Sequence, residues 1–117
     1  MKIWLNGELV DKDEAKISVF DHCVLYGDGV FEGIRAYNGV IFQCEAHMDR
    51  LLASAERVRM PLHYDRQTIV DAMYEAMKAN GVVDGYIRLV VTRGPGTLGL
   101  NPFLCHDSSV FIIADQI

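Results

Sequence analysis

Residues Lys2 to Leu5 read as a short strand and end on Asn6-Gly7. That dipeptide favours the two-residue turn of a β-hairpin, so Glu8 to Val10 should return as the partner strand. Gly29 to Tyr37 is rich in strand formers, namely Val30, Phe31, Ile34 and Tyr37, and meets a second such turn at Asn38-Gly39. Val40-Ile41-Phe42 continues beyond it. From Glu45 the period changes. Leu51, Leu52, Ala55 and Val58 recur at helical spacing, with Asp49, Glu56 and Arg57 elsewhere on the cylinder. Pro61 is expected to end this helix. Asp65 is the natural cap of a second helix, with Ile69, Ala72, Met73, Ala76 and Met77 as its buried stripe and Asn80-Gly81 as its close. Tyr86 to Thr92 reads as a buried strand. Gly94 to Pro102 is a long loop dense in helix and strand breakers, and Ser109 to Ala114 is a very apolar strand. The order is hairpin, hairpin, two helices, two strands. It predicts an α+β fold: a small, mostly antiparallel sheet with two helices packed on it.

A chain of 117 residues suits one domain. Half of its residues are hydrophobic, enough for a core. The net charge of -5, with no basic run, argues against nucleic acid as a partner. Three cysteines without a CxxC pair fit a reducing compartment better than a disulfide framework. The N-terminus turns polar too soon for a signal peptide, and no apolar run is long enough to cross a bilayer. Cytoplasmic residence, away from membranes, is the expectation.

Candidate chemistry centres on a few side chains. Arg50 lies three residues after His47, so both project from one side of the helix. Its guanidinium could grip a phosphate with paired hydrogen bonds, or pair on the surface with Glu45 or Asp49. Phe31, Gly33 and Arg35 alternate along one strand and share a face. Phe31 could wall an apolar pocket or simply be core, and Gly33 could admit a ligand close to the backbone. Tyr86 and Arg88 face one side of their strand. An arginine between Ile87 and Leu89 needs a partner or a ligand, and Glu32 is the internal candidate. Tyr26 follows the loop from Phe20 to Leu25. Leu98 and Leu100 lie in the breaker-rich loop, a type of connection that often carries function.

Other signals lead nowhere. Arg93-Gly94-Pro95-Gly96 is not a phosphate loop, because no Gly-Lys-Ser/Thr follows. Cys44-Glu45-Ala46-His47 lacks a second ligand pair, so no metal site is expected. His22 beside Cys23 has no third group to make a thiol protease. The lysines are Lys2, Lys12, Lys16 and Lys78, and none has an evident claim to the desolvated pocket that activates an amine.

The run Tyr26-Gly27-Asp28-Gly29-Val30-Phe31-Glu32-Gly33-Ile34-Arg35, followed by His47-Met48-Asp49-Arg50-Leu51, resembles the opening of the fold-type IV aminotransferases, which depend on pyridoxal 5'-phosphate (PLP). The resemblance runs from about Trp4 to Ile113 and is greatest to the branched-chain amino-acid aminotransferases. It implies that Arg50 stands where the family's His-x-x-Arg-Leu arginine binds the PLP phosphate. It implies that Phe31 and Gly33 line the substrate side-chain pocket, with Arg35 in the active-site surround. Tyr86 and Arg88 would lie beside the substrate and help orient its α-carboxylate. Tyr26, Leu98 and Leu100 would reach the neighbouring subunit's site, which makes the enzyme at least a homodimer. The substrates implied are amino and keto acids, with the amino group moving between leucine, isoleucine or valine and 2-oxoglutarate.

The family's Schiff-base lysine lies in a second domain, and no residue here matches it. Residues 1–117 are therefore expected to be the N-terminal small domain, with no catalytic residue of their own and no activity alone. The apolar last strand, running to Ile117 without a polar tail, fits a cut at a domain boundary. D-Amino-acid aminotransferases and aminodeoxychorismate lyases share the fold, but usually depart at Phe-Glu-Gly-Ile-Arg, Tyr-Ile-Arg and Gly-Leu-Asn-Pro. A reading of another class is a stand-alone binding or oligomerisation module.

Overall fold

The computed structural model describes residues 1–117. Six strands form one sheet: β1 (Lys2–Leu5), β2 (Glu8–Asp11), β3 (Gly29–Tyr37), β4 (Val40–Ile41), β5 (Gly85–Thr92) and β6 (Ser109–Gln116). Their spatial order is β2-β1-β6-β5-β3-β4, and every neighbouring pair is antiparallel. Both Asn-Gly turns form as expected. Asn6 and Gly7 have φ of 48° and 98°, and Asn38 and Gly39 have 54° and 80°. Two consecutive positive φ values are the signature of the turn whose twist suits a hairpin.

Two long helices, α2 (Cys44–Arg57) and α3 (Arg66–Ala79), cover one face of the sheet. Strand alternation supplies the apolar floor beneath them: Ile34 and Ala36 from β3, Ile87, Leu89 and Val91 from β5, and Val110, Ile112 and Ala114 from β6. α3 forms as the pattern predicts. Asp65 caps it by accepting from the Thr68 amide at 2.8 Å, and all five residues of its stripe are buried.

Three expectations need correction. α2 ends at Arg57, four residues before Pro61. The reversal occurs at Arg59, in the left-handed region with φ of 53°, where Arg93 takes the carbonyls of Val58 and Arg59. Val58 is consequently exposed, and the core side of α2 is Met48, Leu51 and Ala55, with Leu52 half-buried. Phe20 to Leu25 is not a loop throughout, because a single-turn helix, α1 (His22–Tyr26), forms there. Asp21 caps it through the Cys23 amide at 2.8 Å, and Gly27 closes it with φ of 69°. Finally, β6 runs two residues past Ala114, because β5 begins at Gly85 and offers Gln116 and Asp115 a partner.

The other face of the sheet carries neither long helix. There Phe31, Arg35, Tyr37 and Arg88 are exposed. No helix is long and apolar enough to cross a membrane.

Candidate active site

Glu32 points to the helix side of β3 and is only 4% exposed. Two side chains of α2, one turn apart, converge on its carboxylate. Arg50 Nε lies 3.0 and 2.9 Å from the two oxygens, and Arg50 Nη2 lies 2.6 Å from Oε1. His47 Nδ1 lies 2.7 Å from the same Oε1. Burial pushes the Glu32 pKa up, but the hydrogen bonds of Arg50 and His47, with the charge of Arg50, outweigh it and hold the group below its ordinary value. Arg50 is raised in turn by the bonds it donates to Glu32. The carboxylate thus fixes the guanidinium in one plane and leaves Nη1 without a protein partner. The Arg50 side chain is 66% exposed, so that nitrogen is open to a ligand.

Arg50 does not pair with Glu45 or Asp49. Arg66 takes both carboxylates, each at 2.8 Å. Glu32 is not the partner of Arg88 either, since the two side chains lie on opposite faces of the sheet. β5 is buried on one face only, so Arg88 sits on the uncovered face and needs no internal carboxylate. Its guanidinium lies 4.6 Å from the centre of the Phe31 ring and 5.9 Å from that of Tyr86. Both distances are within the range of cation–π attraction.

Phe31, Gly33 and Arg35 share this uncovered face, opposite Val90, Arg88 and Tyr86 in register. Phe31 is 58% exposed and is not core. The space beside Gly33 is not open to a ligand in this arrangement. The phenol of Tyr86 fills it, and a Cβ at Gly33 would overlap the hydroxyl and stand 3.1 Å from Cζ. Glycine here lets the tyrosine lie across β3.

Tyr26 ends α1 and donates its hydroxyl to the Leu98 carbonyl. Leu98 and Leu100 are 67% and 76% exposed, with no core to enter. The structure therefore brings the nine residues together as three groups: Arg50 on the helix face, five residues on the uncovered face, and Tyr26 with the two leucines beyond. β4 pairs only with Ala36 and Tyr37, so β3 has no partner strand on that edge from Gly29 to Ile34. This free edge lies between the helix-face and uncovered-face groups. Sequence reasoning passed over Arg93, which is buried and bonded to Asp28 and the end of α2. It also passed over the bonds of His22 and Asp21. The only signal for these was a polar residue ahead of a short apolar run closed by glycine.

Residues 29–117 match the family model described as amino-transferase class IV. The chain belongs to the class IV aminotransferases. Among class IV relatives, it is 52% identical over 114 residues to a Methanocaldococcus jannaschii protein provisionally named a branched-chain-amino-acid aminotransferase, covering 97% of this chain and 40% of that one. A D-alanine aminotransferase of Staphylococcus haemolyticus is 38% identical over 93 residues, 80% of this chain and 33% of that one. Of the solved class IV structures, the T.th. branched-chain amino acid aminotransferase complexed with N-(5'-phosphopyridoxyl)-L-glutamate superposes with a TM-score of 0.94 at 36% identity, covering 99% of this chain and 40% of that chain. The 4-amino-4-deoxychorismate lyase of Pseudomonas aeruginosa superposes with 0.80 at 28%, covering 97% of this chain and 39% of that chain. The chain spans about 40% or less of the length of these relatives.

Proposed function

We propose that this chain is the N-terminal small domain of a PLP-dependent transaminase. Its reaction moves an amino group between leucine, isoleucine or valine and 2-oxoglutarate. The observation that carries the reading is Arg50: a guanidinium held by a buried carboxylate, with Nη1 left for an anion. That donor set fits a phosphate group. When bound, PLP supplies the electron sink for amino-group transfer. Arg50 anchors its phosphate, and Glu32 and His47 keep Arg50 in place. Phe31, Tyr86 and Arg88 wall the substrate side, Gly33 makes room for Tyr86, and Arg35 lines the approach. Tyr26, Leu98 and Leu100 serve the site of a second copy, in at least a homodimer. The lysine that holds PLP comes from residues outside these 117. Three free cysteines, all with thiol pKa raised by burial, suit a reducing cytoplasm.

The experiment is Arg50→Lys in the full-length enzyme, read as equilibrium PLP binding. The charge stays but the fork is lost, so the dissociation constant should rise about tenfold or more. An unchanged constant removes Arg50 from the cofactor site. The 117-residue chain itself should form no leucine-dependent glutamate and no borohydride-reducible PLP adduct. A stoichiometric adduct on Lys78 or any other lysine here overturns the domain assignment. D-Amino-acid transamination is the second reading, supported by the Staphylococcus relative. Activity on D-alanine and none on L-leucine would select it.

A further inference from the structure

Two consecutive carbonyls of the segment after β5 are each held by a side chain of α1. His22 Nε2 lies 2.7 Å from the Thr97 carbonyl. A carbonyl can only accept, so Nε2 carries the proton of that bond. One turn along, Tyr26 donates to the Leu98 carbonyl, and the two rings meet edge-on with centroids 5.0 Å apart. His22 is 1% exposed, so water cannot replace the Thr97 carbonyl as its acceptor. The surrounding bonds complete one unit. The His22 amide donates to the Gly94 carbonyl at 3.0 Å, and the Gly96 amide donates to the Phe20 carbonyl at 3.1 Å. The buried carboxylate of Asp21 accepts from the Cys23 amide at 2.8 Å, the Thr92 hydroxyl at 2.6 Å and the Gly94 amide at 3.2 Å. A Cβ at Gly96 would stand 3.0 Å from His22 Nε2 and 2.6 Å from Cys105 Sγ, so the segment passes tightly over the imidazole.

Leu98 and Leu100 have no apolar anchor of their own, as their exposure shows. Their placement depends on the backbone bonds beside them. We propose that His22 is a positioning residue for the site of a second copy. By fixing Thr97, and with Tyr26 the Leu98 carbonyl, it delivers Tyr26, Leu98 and Leu100 as one preformed unit. Less ordering is then left to the moment of substrate binding. This rests on the reading that those three residues serve a neighbouring subunit.

The test uses the full-length enzyme with His22→Phe, which keeps the ring and loses the donor, and His22→Gln, whose amide nitrogen can replace Nε2. Hydrogen exchange in peptides covering residues 96–104 should quicken about tenfold in His22→Phe, with β5 unchanged. KM for the amino acid should rise about three- to tenfold with kcat within about twofold, and His22→Gln should recover most of both. Mixed dimers then separate the two readings. One subunit is silenced by Arg50→Ala. KM should rise when His22→Phe sits in the silent subunit, and stay at the wild-type value when it sits in the active one. The reverse pattern overturns both this inference and the cross-subunit role of the loop. Faster exchange with no change of KM in either dimer, or no change of exchange at all, overturns the inference and leaves the transaminase reading standing. That reading fails separately, if the unaltered enzyme does not transaminate.

Discussion

Arg93 offers the sharpest test of how this domain is held together. It follows β5, and its side chain is 4% exposed. Nε lies 2.8 Å from Asp28 Oδ2, and Nη2 lies 3.2 Å from Asp28 Oδ1 and 2.7 Å from the Val58 carbonyl. Nη1 lies 2.9 Å from the Arg59 carbonyl. One guanidinium therefore ties the entry to β3, the end of β5 and the exit from α2. Arg93→Ala strands a mostly buried carboxylate and two carbonyls. Removing one side of a buried pair costs about 3–5 kcal/mol. Asp28 keeps 25% exposure, and Val58 and Arg59 are exposed, so water relieves part of the loss. The expected cost is thus near the lower end, about 3 kcal/mol. With a urea slope of roughly 1–3 kcal/mol per molar, the midpoint should fall by about 1–3 M. Trp4, the single tryptophan and 3% exposed, reports unfolding by fluorescence. Arg93→Lys keeps the charge and one or two bonds, and should lose about half as much. Asp28→Ala combined with Arg93→Ala should cost well under the sum of the two singles, because the double variant strands no charge. A midpoint within about 0.3 M of wild type for Arg93→Ala, or strictly additive losses, would refute the clamp.

Gly33→Ala in the full-length enzyme should leave stability within about 1 kcal/mol, since alanine is the better strand residue and only the end of a side chain must move. It should nevertheless displace Tyr86 and raise KM, and a lower melting temperature with unchanged KM would argue the opposite. Glu32 is held below its ordinary pKa of 4.5, so its stabilisation is present above about pH 4.5 and is lost as pH falls through the depressed value. Urea midpoints of wild type should therefore approach those of Glu32→Gln on acidification below pH 4.5, and parallel curves would contradict the pairing. Changing Leu98 and Leu100 to serine in the full-length enzyme should weaken the proposed dimer in analytical ultracentrifugation or raise KM. A dimer of undiminished stability with unaltered substrate affinity would show that the loop does neither.

Local patterns carried far in this chain because they are enforced by local physics. Asn-Gly pairs adopt positive φ wherever two strands must turn, and Asp65 caps α3 using an amide three residues away. The spacing of Ile69, Ala72, Met73, Ala76 and Met77 marks a helix face whatever it packs on. The alternation of Phe31, Gly33 and Arg35 likewise placed three candidate residues on one surface. What spacing could not supply was partners. Glu32 and Arg50 are bonded across 18 positions, and His22 and Thr97 across 75. Only the packing of α2 on β3, and of α1 against the segment after β5, brings those atoms into range. The same limit explains the errors. Pro61 looked like the end of α2, yet its reversal comes earlier, where the distant Arg93 holds its last carbonyls. Arg88 looked buried because its strand is apolar, whereas β5 is covered on one face only. Gly33 looked like open space, and the tertiary structure filled that space with Tyr86 from the facing strand. Side-chain period is a property of one segment, but a hydrogen bond or a filled gap belongs to two, and the fold alone decides which two meet.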